Sequence, residues 1–261
     1  MTCLVTAVDY LFIVLGDFLG LGWLERKLFS PFSFAVAAAG NAIWCNAGIL
    51  AGSTVKYRFY SYLGLTALQI ASLVTFTWIS YFLGLFFLGG MTNLVVLFNL
   101  WISGGPISPG PGKWISWALL SAVFLYLGFS LLGRRQISIG RTFIPVPSFH
   151  IAVLQVCLAS MDWLLAGTVL FTLLPQGFGL GFSQVTGTYV MAQITVLISQ
   201  VPGGAGVFEG MVLLFLSRKI NGEKVLATVL AFRIIFSIAP LIRACVFWGF
   251  HEIRGMGQSG K

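Results

Sequence analysis

The chain has 261 residues, of which 58% are hydrophobic and only 8% are charged. Soluble domains carry about 25% charged residues, so this composition excludes a soluble globular protein. The net charge of +8 would suggest nucleic-acid binding in a soluble protein. Here the basic residues stand in short clusters between apolar stretches, which is typical of the positive loops that orient membrane proteins. We therefore expect no nucleic acid among its partners.

The apolar stretches predict membrane-spanning helices. About 20 helical residues cross a hydrocarbon core of roughly 30 Å, and alternating strand patterns are absent. The prediction is an all-α polytopic integral membrane protein with about six to eight hydrophobic helices. In chain order, we expect apolar segments near residues 3–24, 32–52, 62–88, 94–102, 114–132, 150–174, 183–201, 206–220 and 224–250.

Glycine and proline interrupt this pattern. Gly89 and Gly90 are expected to end the third segment, and the Gly- and Pro-rich peptide 102–113 is expected to form a loop. Pro240 is expected to kink the last helix. The segment after residue 132 is predicted to be a basic loop that ends near Pro147.

The positive clusters do not alternate as they would if every segment crossed the membrane. With residues 26–27 inside, the clusters at 56–58 and 134–135 would both fall outside. We therefore expect one or two re-entrant or broken helices. The best candidates are the second segment and the pair that flanks the glycines at 203–206. Residues 1–261 are otherwise treated as a single transmembrane domain without a soluble domain.

The peptide QVPGGAGVFE, residues 200–209, is the main candidate for a functional site. It interrupts a region that has no charge between Asp162 and Glu209. A backbone break at membrane depth persists only where it is buried in protein or lines a water-filled cavity, and a carboxylate there indicates function. The start of the next helix attracts anions such as a lipid phosphate. The glycines that would shape this turn are Gly203, Gly204 and Gly206.

Polar side chains on two neighbouring segments are further candidates. Gln155 and Asp162 share one helix face, and Gln193 and Gln200 repeat that spacing on the next helix. These side chains suit a substrate site. They equally suit hydrogen bonds that hold neighbouring helices together in a membrane, and the residues alone leave both interpretations open.

Two charged residues have several possible partners. Glu209 either caps the amides of its own helix, holds a cation such as an amino headgroup, or exchanges a proton. Arg233 lies within the last segment, where it can pair with Asp162 or Glu209, or bind a phosphate through its planar guanidinium. The sequence does not choose between these roles.

Other charged residues lie nearer the expected membrane interface. Lys56, Arg58 and Tyr60 follow a segment rich in small residues, so they either contact a lipid headgroup or anchor the interface. Asp9 and Asp17 share no close helix face, and Asp17 is the weaker candidate because it is nearer a helix end. The histidines stand far apart and the cysteines form no CxxC pair, so we expect no metal, no cofactor and no catalytic residue.

Three stretches together resemble the lysylphosphatidylglycerol synthase/flippase transmembrane family, the membrane half of the multiple peptide resistance factor. The likeness covers most of the chain from the first segment onward. The stretches are NAGILAGSTVKYRFYSYLG at 46–64, residues 154–175 with Gln155, Asp162-Trp163 and Leu173-Leu174-Pro175, and SQVPGGAGVFE at 199–209. The last is the most specific.

The resemblance implies an inner-membrane lipid flippase that moves phospholipid between leaflets. The best-known relatives flip aminoacylated phosphatidylglycerol outward, which blunts cationic antimicrobial peptides. Relatives that make this lipid carry a soluble aminoacyltransferase domain, which we do not expect in a chain that ends at Lys261. The family pattern also has a hydrophobic segment before the first segment of this chain. The implied partners are phospholipid, the membrane, a separate aminoacyl-lipid synthase and, in a homo-oligomer, a second copy.

Two other classes of function remain as alternatives. The chain could be a membrane scaffold that assembles a separately encoded synthase. An intramembrane enzyme would need a positioned nucleophile and base. The sequence has no GxSxG motif and no histidine deep in a segment, so it favours this class least.

Overall fold

The computed structural model describes residues 1–26, 28, 30–102, 109–132, 136–139, 142–145, 147–175 and 179–256. The helices of this part of the chain are α1 (Thr2–Trp23), α2 (Pro31–Ala47), α3 (Ile49–Tyr62), α4 (Ala67–Ile102), α5 (Pro109–Leu131), α6 (Phe149–Leu173), α7 (Phe182–Ser199), α8 (Val207–Leu216), α9 (Gly222–Phe232) and α10 (Ala239–Met256). The predicted basic residues Lys27, Arg134, Arg135 and Arg141, and residues 103–108 of the loop predicted at 102–113, lie outside the described residues. The prediction of a loop at 109–113 is wrong, because α5 already begins at Pro109, where proline fits the first turn of a helix.

Five helical stretches of the described chain are long and apolar enough to cross a membrane. They are Thr2–Trp23, Ala67–Thr92, Lys113–Leu131, Phe149–Leu173 and Gly222–Phe247. Large apolar side chains are exposed along them, for example Leu11, Phe124 and Ile242. Apolar surface of this kind is stable only against lipid or another apolar partner. The prediction of an all-α polytopic membrane protein with broken helices is confirmed.

The second predicted segment is two helices, not one. Gly48 has a φ of 88°, a conformation that glycine adopts without strain, and α2 and α3 fold back on each other there. They are antiparallel: a Cβ at Gly52 would lie 2.7 Å from Trp44 Cβ, and a Cβ at Gly40 would lie 2.7 Å from Lys56 Cγ. The helix expected to run to residue 52 therefore ends at Ala47, because Gly48 makes the turn.

A second helical hairpin surrounds the glycine break. After α7, Gln200 has a φ of 56° and a single 3-10 turn follows at Pro202–Gly204 before α8 begins. The two helices pack antiparallel, since the rings of Tyr189 and Phe208 are 5.9 Å apart. The hairpin tips meet, because a Cβ at Gly203 would lie 2.8 Å from the carbonyl oxygen of Asn46.

The expected break at Gly89 and Gly90 is wrong, because α4 continues through both residues to Ile102. Their missing side chains serve packing instead. A Cβ at Gly90 would lie 2.6 Å from Leu120 Cγ on α5. A helix in lipid keeps its backbone groups bonded internally, so paired glycines can allow close helix approach without ending the helix.

Two smaller features also differ from the sequence prediction. Part of the expected basic loop forms an antiparallel hairpin, β1 (Gln136–Ile139) with β2 (Thr142–Pro145). The distortion expected at Pro240 takes the form of a π-helical stretch at Arg233–Ile238. Pro240 has no N–H to bond the carbonyl of Phe236, and that carbonyl accepts from the Tyr10 hydroxyl at 3.4 Å.

Candidate functional site

A cavity of about 410 Å³ opens where the two hairpins meet. Its wall includes residues of α1, α2, α4, α6 and α7, both hairpin turns, and the start of the π-helical stretch. Asn46 holds this junction, because its Nδ2 donates to the carbonyl of Ser237 at 3.0 Å and to that of Ala42 at 2.8 Å. This polar side chain therefore links the end of α2 to the π-helical stretch.

The structure brings most of the predicted site residues to this cavity. Its lining includes Gln155, Asp162, Gln193, Gln200, Gly203, Gly204 and Arg233. Glu209 and Gly206 do not line it, although Glu209 contacts Arg233. Arg58 and Tyr60 are not brought to it: Arg58 is exposed on α3, and Tyr60 is fully buried in the core beside Phe59 and Val55. Tyr60 therefore cannot meet a headgroup at the interface.

Arg233 and Glu209 form an ion pair between Arg233 Nε and Glu209 Oε1. The other oxygen of Glu209 accepts from the backbone N–H of Gly206 at 2.8 Å, so the carboxylate also caps the start of α8. The side chains are only 23% and 15% exposed. One carboxylate thus combines two of the roles that the sequence left open, and it holds Arg233 at the edge of the cavity.

The glutamines of the predicted polar faces have different surroundings. Gln155 is buried, donates to the carbonyl of Phe76 at 3.1 Å and accepts from the Tyr126 hydroxyl at 2.7 Å, so it ties α6 to α4 and α5. Gln193 Nε2 is 3.2 Å from the Tyr189 hydroxyl. Gln200 is exposed and donates to the carbonyl of Leu197. Of these three side chains, only Gln155 forms hydrogen bonds that join different helices.

Two carboxylates of α1 and α6 meet behind the cavity wall. Asp9 is fully buried, and its carboxyl group interacts with that of Asp162, which lines the cavity. Neither oxygen of Asp9 has a hydrogen-bond donor in the described structure. Sequence analysis ranked Asp9 above Asp17 as a candidate but did not include it among the predicted site residues. Its carboxylate in the middle of an apolar segment was the signal that could have found it.

A buried ion pair stands beside the cavity. Lys56 Nζ is 2.8 Å from both oxygens of Asp17, and the two side chains are 1% and 0% exposed. Thr77 donates to Asp17 at 2.9 Å, and Lys56 also approaches Asn41 Oδ1 at 3.5 Å. The expected contact of Lys56 with a headgroup at the interface is therefore wrong, because α3 packs this side chain against α1.

Aromatic rings form the apolar part of the cavity wall. Trp163 donates its indole N–H to the carbonyl of Tyr81 at 3.1 Å, and the two rings are 4.7 Å apart. Tyr189 stands 6.1 Å from Trp163, and Trp44 lies 5.6 Å from Tyr81. Charged groups and rings thus share one cavity, an arrangement that can hold an amphipathic molecule by its polar end.

Comparisons with known proteins agree with this architecture. No family model matches the chain. An uncharacterized Synechocystis protein, slr0712, is 31% identical over 250 residues, which are 94% of this chain and 77% of that protein. Inner membrane protein YbhN of Escherichia coli is 28% identical over 203 residues, 75% of this chain and 61% of YbhN. Phosphatidylglycerol lysyltransferase of Staphylococcus haemolyticus is 29% identical over 163 residues, 62% of this chain but 19% of the enzyme.

The fold, the cavity and these relatives together define a multi-pass protein of the bacterial inner membrane. The chain belongs to the lysylphosphatidylglycerol synthase-like membrane family. It spans less than two thirds of the length of YbhN and about a fifth of the length of the lysyltransferase.

Proposed function

We propose that this protein is a flippase-like transporter that moves a phospholipid between the leaflets of the inner membrane. It would do so without changing the lipid covalently. Aminoacylated phosphatidylglycerol is the lipid that we favour, because a relative is named phosphatidylglycerol lysyltransferase. The proposal includes two further partners: a separate lipid synthase and a second copy of the chain.

The observation that carries the proposal is the cavity at the junction of the two hairpins. Ligand sites commonly have volumes of roughly 300–1,000 Å³, and the cavity of about 410 Å³ is large enough for a headgroup. Broken helices at membrane depth are tolerated where they line such a cavity. The acyl chains would remain in the bilayer, which solvates them better than a polar cavity.

All but one of the predicted site residues have a role in the proposal. Gly203 and Gly204 would shape the cavity wall beside the phosphate, and the Gly206 N–H would keep Glu209 in place. Arg233 would exchange its contact with Glu209 for one with the phosphate, and Glu209 would then face a cationic amino group. Asp162, Gln155 and Gln200 would complete the polar end of the cavity. Arg58, which is exposed on α3, would contact the headgroup before the lipid reaches the cavity, whereas the buried Tyr60 has no role in the proposal.

Substitution of the ion pair tests the proposal. Glu209→Gln and Arg233→Ala should each abolish lipid translocation, measured by leaflet sidedness in proteoliposomes. The pair is partly exposed, so both variants should remain folded. Glu223→Gln, which alters an exposed carboxylate at the start of α9, is the control and should transport normally. Normal transport by both cavity variants would contradict these roles.

The same reconstitution distinguishes the other classes of function. An enzyme would change a labelled lipid chemically, and analysis of the recovered lipid would detect the product. A scaffold would leave lipid sidedness unchanged when reconstituted alone and would acquire a function only with its co-purified synthase. Chemically unchanged lipid that has moved to the other leaflet supports the transporter.

A further inference from the structure

The Asp9 and Asp162 side chains are brought together by the packing of α1 against α6. The two helices are antiparallel: the hydroxyl oxygens of Thr2 and Thr172 are 3.4 Å apart near one end, and the two carboxyl groups interact farther along. Asp162 also lines the cavity, whereas Asp9 is 0% exposed behind it. One member of the pair therefore lies at the cavity wall and the other lies in the buried interior of the protein.

Asp9 lacks the hydrogen-bond donors that a buried carboxylate needs. Both of its oxygens are buried, and no described group donates to either one. Asp162 as a carboxylate can only accept hydrogen bonds. A proton held between the two groups would supply the missing donor and would remove the repulsion of two adjacent negative charges.

Asp17 provides an internal comparison on the same helix. It is as fully buried as Asp9, but it contacts the ammonium group of Lys56 and the hydroxyl of Thr77. Burial of a carboxylate thus does not by itself imply a bound proton in this protein. In the part of the chain that the structure describes, Asp9 and Asp162 form no ion pair with a cation.

The other titratable groups around the pair are neutral acids. They are Tyr10 on α1, Cys45 on α2, Tyr81 on α4 and Tyr189 on α7. None of these side chains can neutralise a carboxylate by carrying a positive charge. Two cations lie nearby: Arg233 lines the same cavity as Asp162, and Lys56 acts on Cys45. Each is already held in an ion pair, Arg233 with Glu209 and Lys56 with Asp17.

We propose that Asp9 and Asp162 share one proton at neutral pH and that this pair is the proton-binding site of the transporter. Two adjacent carboxyl groups commonly bind a proton jointly, with one ionised and one neutral. Because Asp162 lines the cavity, its charge reaches the bound headgroup. Binding of a cationic amino group would then favour release of the proton. This coupling rests on the proposed function, whereas the shared proton does not.

Infrared spectroscopy of the protein in lipid nanodiscs tests the proton directly. At neutral pH, the wild type should show the carbonyl band of a protonated carboxylic acid, and the band should weaken as the pH rises. Asp9→Asn should remove it, because Asp162 then faces the cavity as a single carboxylate, and Asp162→Asn should shift it, because Asp9 stays buried without its partner. Glu223→Gln should retain it. Absence of the band from the folded wild type, or its unshifted persistence in both asparagine variants, would overturn the proposal.

Transport under a pH gradient tests the coupling. A gradient across the proteoliposome should change the rate at which the wild type moves lysyl-phosphatidylglycerol, and the ratio of rates with and without the gradient should become about one in Asp9→Asn. A wild-type transport rate that does not change with the pH gradient would overturn the coupling. Absence of any lipid transport would instead contradict the proposed function and leave the carbonyl band as the test of the proton site.

Discussion

Asp17 and Asp9 lie on the same helix and are equally buried, yet only Asp17 contacts a cation. Breaking a buried ion pair by removing one partner leaves an uncompensated charge, which costs more than the net contribution of the pair. Lys56 meets both oxygens of Asp17 and packs its stem where Gly40 has no side chain. The pair therefore fixes α3 against α1 beside the cavity.

Lys56→Met should destabilise the protein by about 3–5 kcal/mol, because it buries Asp17 without its cation. Thermal unfolding in detergent measures the loss. Adding Asp17→Asn to Lys56→Met should recover part of the lost stability, because the asparagine amide carries no charge. Lys219→Met, which removes an exposed lysine after α8, should leave the unfolding temperature unchanged. An equal effect of both lysine substitutions would contradict the buried ion pair.

At the scale of helices, glycine sets how closely neighbouring spans approach. Gly84 lies where α4 crosses α6, and a Cβ there would be 2.5 Å from the carbonyl carbon of Ala159. This close approach brings the α6 face with Gln155 against α4, where Gln155 donates to the carbonyl of Phe76. Small residues stabilise helix pairs in membranes because they allow such backbone contact.

Gly84→Ala should therefore separate α4 from α6 and lower the unfolding temperature. Gly128→Ala is the matched control, because Gly128 is an exposed helical glycine on α5 with no atom within 4 Å of the added Cβ. Alanine also favours helix over glycine by up to about 1 kcal/mol in soluble helices. If Gly84→Ala unfolds no earlier than Gly128→Ala, the close crossing of α4 and α6 is wrong.

At the scale of the whole molecule, the cavity exists only where elements distant in the chain converge. Cys45 lines this cavity, whereas Cys157 is exposed on α6 but does not line it. Thiols react with maleimide as thiolates, and a thiolate forms readily only where water reaches it. The labelling rates of these two cysteines therefore report whether water fills the cavity.

A protein that retains Cys45 alone should react with a water-soluble maleimide above neutral pH, because burial and the nearby Asp162 and Asp9 oppose formation of its thiolate. One that retains Cys157 alone should react much more slowly in a bilayer. Mass spectrometry of the labelled protein measures the difference. Lysyl-phosphatidylglycerol should slow the labelling of Cys45 if its headgroup occupies the cavity. Equal labelling of both cysteines, or none at Cys45, would show that water does not fill the cavity.

Much of the fold followed from local sequence. Runs without charge identify membrane helices, because only apolar side chains are stable in lipid. The sequence predicted the break at Pro202 and the glycines after it, because proline and glycine determine the conformation of their own backbone. The same reasoning gave the wrong result at Gly89 and Gly90. Whether a glycine ends a helix or lets another helix approach depends on neighbours such as Leu120.

The candidate site was only partly visible. The sequence identified three charged residues in apolar segments, Asp162, Arg233 and Glu209, but it did not identify their partners. Arg233 had two carboxylates within plausible reach, and the packing of α8 against α9 selected Glu209. Asp9 stood out as a carboxylate in an apolar segment, but its contact with Asp162 depends on the packing of α1 against α6.

The sequence by itself determined that this is a helical membrane protein of a lipid-related family with a polar break near residue 203. Hydropathy, backbone preference and motif order are properties of neighbouring residues, so they need no fold. Only the tertiary structure decided that Asp17 would pair with Lys56 and that Asp9 would meet Asp162. Charges separated along the chain interact only after helix packing sets their distance and removes the water between them.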